Sequence, residues 1–453
     1  MSEATKAKEM DMLNGKLAGK LILFAIPLAF SSILQQLFNS ADVAVVGRFA
    51  GSNALAAVGS CVALVGIFVN LIVGLAVGPN AALANLIGQN KREKISGMLH
   101  TILTFGAVLG IVLMGVGMLT ARTVLEASGT PESVMAEALL YIRIYFLGLP
   151  FMVIYNFGAA ILRSYGDTRR PLYYLIISGT LNVILNLLLV IEFHLGVAGV
   201  AIATTISNMV STVMVIFCLH RKRDEFRFEF HKMRIEWKDL KRVLMIGIPA
   251  GIQGAIFSVS NVFIQSGINS FGEDAIAGSS LALNFEYFTY DIANAFAQAA
   301  VTFTSQNFGA GNLKRCKKIF WLCLAFGFGF GFTEILSIIF MIWDDFFVSI
   351  YTVSEAVAVY GLIRMHHVCS LEGLTATYEV ESAALRGMDK SLEPSIITIL
   401  GTVVFRLIWL VTVFRMFPTY GMLMNVYVVS WILTGGAIFV VYVLYMRKLE
   451  RQI

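Results

Sequence analysis

Apolar residues in this chain come in long blocks broken by short polar intervals. Twelve blocks can be marked, near 21–45, 54–83, 97–121, 135–162, 172–193, 197–219, 243–269, 275–305, 318–343, 356–385, 395–416 and 420–446. About 20 predominantly apolar residues carry a helix across a bilayer. No window alternates apolar and polar residues over many repeats, as membrane-spanning barrel strands do. The pattern predicts an all-α integral membrane protein with twelve transmembrane helices. One polar interval differs from the rest. Residues 220–236 are the only long polar stretch between blocks, and six blocks lie on each side of it.

The two sixes repeat each other. Ile26-Pro27 returns as Ile248-Pro249, and Asn39 falls opposite Asn261, in both cases 222 residues on. Phe49-Ala50-Gly51-Ser52-Asn53-Ala54 is matched by Phe271-Gly272-Glu273-Asp274-Ala275-Ile276 at the same spacing. Ile161-Leu162-Arg163-Ser164 returns as Ala384-Leu385-Arg386-Gly387, each followed by a proline, Pro171 and Pro394, and Gly199 falls opposite Gly421. A long internal repeat in an apolar chain points to a transporter with its site between the halves. Six spans per half bring the second half in from the same side as the first. The repeats are therefore parallel, two pseudo-symmetric six-helix bundles related by an axis along the membrane normal. The expected organisation is an N-terminal tail 1–16, a first lobe 17–219, a linker 220–236, a second lobe 237–448 and a tail 449–453.

Composition and charge narrow this further. The chain is 57% hydrophobic and 14% charged, against about a quarter charged in soluble domains, and its mean hydropathy is +0.77. Of 34 Lys and Arg, 28 fall in the N-terminal tail, the alternate loops of one side, the linker and the C-terminal tail. The opposite loops hold only Arg48, Arg122 and Arg415, while Arg143, Arg364 and Arg406 lie in or at the edges of spans. The positive-inside rule then puts both termini and the linker in the cytoplasm, in a multi-pass protein of the cytoplasmic (inner) membrane. The net charge of +5 reflects this loop bias, and no nucleic-acid partner is expected. The polar N-terminus lacks the apolar core of a signal peptide, so the first span is read as retained. The five cysteines, Cys61, Cys218, Cys316, Cys323 and Cys369, show no C-x-x-C spacing and read as packing residues.

Enzyme motifs are missing: there is no G-x-x-x-x-G-K-[ST], no H-E-x-x-H and no G-x-S-x-G. The expectation is a non-enzyme without cofactor. Gly327-Phe328-Gly329-Phe330-Gly331 reads as a small-residue helix face. His366 and His367 near Cys369 imitate a metal cluster, but adjacent helical residues diverge by about 100°, so no shared ion is expected.

Ionisable groups inside spans are costly and mark cavities or partners. In the first half the clear case is Asp42. Asn182 and Asn186 put two amides at i and i+4 on one helical face, and Thr204 and Thr205 add hydroxyls on span 6. A carboxylate with amide and hydroxyl oxygens suits a hard cation, or tunes an aspartate that carries a proton. Pro27, inside span 1, removes a backbone hydrogen bond and should bend the helix. It is either a static kink or a hinge answering to the charge on Asp42. In the second half, span 8 carries Glu286, Tyr290 and Asp291, with Glu286 and Tyr290 on one face, and span 10 carries Arg364, Glu372, Glu379 and Glu381. Acids among aromatics would suit amphipathic cations. Alternatively, the acids pair with Arg364 or Arg406 and only hold helices together.

These residues carry a family resemblance. Gln35 to Arg48 (QQLFNSADVAVVGR), Leu162 to Pro171 (LRSYGDTRRP), Ile248 to Gln253 (IPAGIQ), Gln298-Ala299-Ala300, Gln306 to Gly311 (QNFGAG) and Ala384-Leu385-Arg386-Gly387 resemble bacterial multidrug and toxic compound extrusion (MATE) transporters, nearest to DinF-like and MepA-like members. The resemblance implies a V-shaped pair of bundles and export driven by H⁺ or Na⁺. Asp42 matches the family's span-1 aspartate, and Asn182 and Thr204 match its first-lobe cation site. A Na⁺ would sit against Asp42, Asn182 and Thr204. Asn186 departs, since many relatives carry aspartate there, and this favours proton coupling through Asp42. Glu379 matches a glutamate before the Leu-Arg-Gly motif. Glu381 has no such match, and the span-7 acid of NorM-type members has no counterpart in 243–269.

The resulting expectation is a monomeric secondary exporter of small cationic or zwitterionic amphipathic compounds, working by cation antiport with alternating access in contact with membrane lipid. Its coupling residues would be Asp42, Asn182, Asn186 and Thr204, with Pro27 as hinge. Its substrate contacts would be Gln35, Asn39, Asn156, Gln253, Asn261, Glu286, Tyr290 and Glu379. A lipid-linked sugar flippase is the alternative. It needs a basic cavity for pyrophosphate, whereas the charge inside these spans is mostly acidic.

Overall fold

The computed structural model describes residues 10–328, 332–350, 352 and 354–452. The first nine residues of the expected tail 1–16, Gly329-Phe330-Gly331 of the glycine run, and Ile453 lie outside the described residues. Every regular element among the described residues is helical. Among the described residues eight helices are long and apolar enough to cross a membrane: α1 (Leu17–Ala50), α2 (Ser52–Gly88), α3 (Arg92–Ala127), α5 (Arg169–Glu192), α6 (Gly196–His220), α7 (Trp237–Asn269), α11 (Leu392–Met416) and α12 (Tyr420–Glu450). A ninth, α4, consists of Glu132–Leu147 and Leu149–Ser164 bent by 43°, where Pro150 enters the second piece and cannot donate to the ladder.

The other three apolar blocks are helical too, and each departs from a simple span. α8 (Glu273–Gly309) is long, but Asn284, Glu286, Tyr290 and Asp291 dilute it. α9 is two pieces, Leu313–Gly327 and Phe332–Ile342, the first ended by extended backbone at Phe328. α10 runs Glu355–His367, a tighter turn at Cys369–Leu374 with Leu371 off helical geometry, then Thr375–Gly387. The repeat survives in the turns. Gly51 before α2 and Gly272 before α8 both sit at φ 92°, a conformation that favours glycine. Asn90 and Gly311 are likewise left-handed at the next turn, at φ 55° and 73°. These pairs align the halves 221 residues apart. The sequence match that set Phe49 against Phe271 is one residue out of register here.

By contact the chain forms two compact units. One comprises Phe30–Gly251 with Met1–Asp11, the other Met12–Ala29 with Ile252–Ile453. The divisions fall inside α1 and α7, two residues past Pro27 and Pro249. The repeat alone suggested lobes 17–219 and 237–448 parted by 220–236.

In the first unit, small residues set the helix spacing. A Cβ on Gly110 would lie 2.5 Å from the Pro150 Cα, and one on Gly106 2.9 Å from the Phe157 ring, so the α3 backbone meets backbone and side chain of α4 directly. Gly74 and Gly78 of α2 face Gly247 and Gly251 of α7 in the same way. A Cβ on Gly74 would lie 2.5 Å from the Ala250 carbonyl, and one on Gly247 2.8 Å from the Leu75 carbonyl. Close crossings of small residues at four-residue spacing are a favoured packing in membranes. In the second unit Phe24 of α1 packs edge-on against Phe303 of α8 at 5.4 Å. Arg315 ties down the residues entering α1, donating to the carbonyls of Met12, Asn14 and Gly15.

Candidate functional site

The first unit brings Asp42, Asn182, Asn186 and Thr204 into one cluster. The approach of α1 to α5 depends on Gly179, because any Cβ there would overlap the Phe38 ring. Asn182 and Asn186 follow Gly179 by three and seven residues, on the same face, and Asp42 follows Phe38 by four. Packing of Phe38 on Gly179 therefore delivers the carboxylate to the amides. Asn186 Nδ2 donates to Asp42 Oδ1 at 2.5 Å and to Asn182 Oδ1 at 3.3 Å. Asn182 Nδ2 donates to Thr204 Oγ1 at 3.3 Å. Thr204 Oγ1 lies 3.5 Å from Asp42 Oδ2 and 3.0 Å from the Val200 carbonyl, so its single proton chooses between them. Asn182 and Asn186 are buried and Asp42 is half-buried. Asn186 Oδ1 is buried and has no hydrogen-bond partner. Thr205 is not part of the cluster; it donates to the Ile144 carbonyl.

Among the described residues the second unit has no copy of this cluster. It holds a different buried network, nearer the start of α8. Arg364 Nε and Nη2 donate to the two oxygens of Glu286 at 2.6 and 2.8 Å, and Nη1 donates to Ser279 at 2.7 Å. Arg364 is 2% exposed and Glu286 7%. Glu286 was expected among the substrate contacts, but both its oxygens are taken by this fork. Arg406 Nε donates to Ser430 at 3.1 Å, and the guanidinium lies 4.6 Å from the centre of the Tyr427 ring, which Arg364 also faces at 5.3 Å. Glu372 lies in the field of Glu286, Arg364 and Arg406.

The remaining expected contacts scatter. Tyr290 donates to Glu379 Oε1 at 3.2 Å, joining two of them. Gln253 accepts from Arg386 at 2.6 Å, so its carbonyl is engaged within the second unit. Asn156 donates to Met152 of its own helix. Gln35, Asn39 and Asn261 are exposed side chains on α1 and α7. Pro27 lies inside a continuous stretch of α1.

Sequence reasoning overlooked Ser279, Tyr427, Ser430 and Glu334, whose carboxylate lies against Gly373 at the break in α10. A lone arginine in an apolar block demands partners, and hydroxyl and aromatic positions on neighbouring spans were the available signal. Among the described residues no three His, Cys, Asp or Glu side chains gather as a metal site.

Comparison with known proteins fits this architecture. Residues 27–188 and 249–412 match the MatE family, one match in each repeat. Probable multidrug resistance protein YoeA of Bacillus subtilis (strain 168) is 27% identical over 385 residues, 83% of this chain and 82% of the relative. Probable multidrug resistance protein YpnP of the same organism is 30% identical over 311 residues, 68% and 69% of the two chains. A solved structure described as the outward-facing conformation of a multidrug resistance MATE family transporter of the MOP superfamily superposes with a TM-score of 0.90 at 22% identity, covering 98% of this chain and 99% of that one.

Proposed function

Because the chain belongs to the MatE family of multidrug and toxic compound extrusion transporters, we propose that it exports small amphipathic cations or zwitterions in exchange for protons, with alternating access, and that Asp42 is the coupling group. The observation that carries this reading is the Asp42 cluster. A charged Asp42 receives the Asn186 N–H and turns the Thr204 hydroxyl toward itself. A protonated Asp42 must instead donate, and Asn186 Oδ1 is the buried oxygen without a partner. A half-turn of the amide exchanges the two states, so uptake of one proton rearranges hydrogen bonds between α1, α5 and α6. The Asn186 amide already engages Asp42 Oδ1 and Asn182 Oδ1, oxygens a Na⁺ would require, which supports H⁺ over Na⁺. Hydrogen bonds to charged groups contribute about 1.5–3 kcal/mol, so their exchange is large enough to bias a helix bend at Pro27.

In the second unit, Tyr290 and Glu379 are the acidic and aromatic pair best suited to hold a cation, while Glu286 positions Arg364. The flippase reading finds less support, since Arg364 is neutralised by Glu286. We place the protein in the cytoplasmic membrane with both termini inside, on the strength of its charge asymmetry, and propose that it works as a monomer. The test is Asp42→Asn in reconstituted vesicles. Driven export of a cationic dye should vanish while dye binding survives. Export against a gradient at the wild-type rate would place coupling elsewhere.

A further inference from the structure

The polar stretch joining the halves is folded, and its outer face fits a membrane surface. Phe226 and Phe228 are each 2% exposed. Phe226 packs on Tyr165 at 4.5 Å and Phe228 stacks on His100 at 5.5 Å. The Glu229 backbone N–H donates to His100 Nε2 at 3.0 Å and the Glu236 N–H to Thr101 Oγ1 at 3.0 Å, so both ends of the segment are tied to α3. The chain beyond Phe228 is displayed at a fixed place rather than tethered loosely.

What it displays is apolar and basic. Phe230 is 64% exposed, Met233 41%, Ile235 43% and Trp237 70%. Met233, Ile235 and Trp237 alternate along the chain with Lys232, Arg234 and Glu236, and all three apolar side chains are exposed. Between 221 and 238 there are seven Lys and Arg against four acids. Each acid already faces a basic neighbour: Asp224 with Lys222, Glu225 with Arg92, Glu229 with Lys232, Glu236 with Arg234. The surplus is positive, and the segment lies between the ends of two spans, His220 of α6 and Trp237 of α7. Water alone is a poor neighbour for four large apolar side chains so close together.

We propose that residues 230–238 form an interfacial anchor in an anionic leaflet. Met233, Ile235 and Trp237 enter the acyl boundary, Lys238 pairs with a phospholipid phosphate, and Lys232 and Arg234, whose ion pairs with Glu229 and Glu236 are solvent-exposed and weak, exchange those carboxylates for phosphates. The inference needs the chain to span a membrane and does not depend on what it transports.

The experiment places an environment-sensitive fluorophore at Met233→Cys, in protein with the native cysteines replaced, in phosphatidylcholine vesicles with and without phosphatidylglycerol. Arg223→Cys is the control position. The label at 233 should emit to the blue, resist aqueous iodide and be quenched by headgroup spin-labelled lipid, more so with phosphatidylglycerol, while the label at 223 stays open to iodide. Lys232→Gln, Arg234→Gln and Lys238→Gln should each reduce the phosphatidylglycerol dependence about fivefold, the equivalent of about 1 kcal/mol per basic residue. In the otherwise native chain, the emission lost in Trp237→Phe should be the part quenched by brominated lipid. Equal iodide quenching at 233 and 223 in both vesicles overturns the anchor. So does a matching blue shift caused by inorganic phosphate in detergent, which would make the site a free-anion site. Iodide confined to one face reports the leaflet. Contact with the outer leaflet would refute the cytoplasmic assignment while upholding the anchor.

Discussion

Asp42 and Glu286 are both carboxylates inside apolar helices, and their neighbours give them opposite roles. Asp42 is held by neutral amide and hydroxyl groups and can change charge without stranding a partner. Glu286 is bound through both oxygens to Arg364; removing its charge leaves a buried guanidinium uncompensated. Glu286→Gln is therefore expected to cost about 3–5 kcal/mol and to lower the thermal unfolding temperature in detergent. Adding Arg364→Met should recover most of that loss. An unchanged unfolding temperature in Glu286→Gln would show that the pair carries no structural weight. The first cluster was legible in part: Asn182 and Asn186 share a helical face, and the family resemblance tied Asn182 and Thr204 to Asp42. The fate of Glu286 was not, since Arg364 lies 78 residues away and an acid in an apolar block fits a fork or a binding site equally well until side-chain geometry decides.

Helices of this protein are placed by residues that lack side chains as much as by those that have them. Gly74 and Gly78 meet Gly247 and Gly251 with no room for a methyl group, whereas Gly115 of α3 has nothing within 4 Å of the place a Cβ would occupy. Gly78→Ala should lower the unfolding temperature clearly and Gly115→Ala should leave it within error; equal effects would remove the crossing from the account. Gly179→Ala acts on function by the same steric logic, pushing Phe38 and with it Asp42 away from Asn186. The existence of twelve helical blocks was plain from hydropathy. The breaks in α9 and α10 were not, because a broken span has the same composition as a straight one. In α10 the interruption shows only in the structure, where Leu371 leaves helical geometry and the Glu334 carboxylate lies against Gly373. The small-residue spacing in α2 and α7 was present in the sequence but is common in apolar helices, and only its partner gives it meaning.

At the scale of the molecule, the repeat announced six helices twice, and the left-handed turns at Gly51 and Gly272 repeat it in the backbone. Where the units divide was hidden. α1 and α7 each pass a proline and lend their two parts to different units, and nothing in the linear order marks a helix as shared. The charge asymmetry is the whole-molecule feature on which the proposed sidedness rests. A cysteine introduced at Arg223, an exposed position of the linker, should react with a membrane-impermeant thiol reagent only from the cytoplasmic face. Reaction in intact cells from outside would invert the topology.

The central claim is that one proton on Asp42 drives export. Its most direct test is transport in proteoliposomes with a pH gradient and a Na⁺ gradient imposed separately, read as movement of a cationic dye against its own gradient. The pH gradient alone should drive the dye, the Na⁺ gradient alone should not, and Asp42→Asn should respond to neither. Dye movement driven by Na⁺ alone, or by the pH gradient in Asp42→Asn, would contradict it.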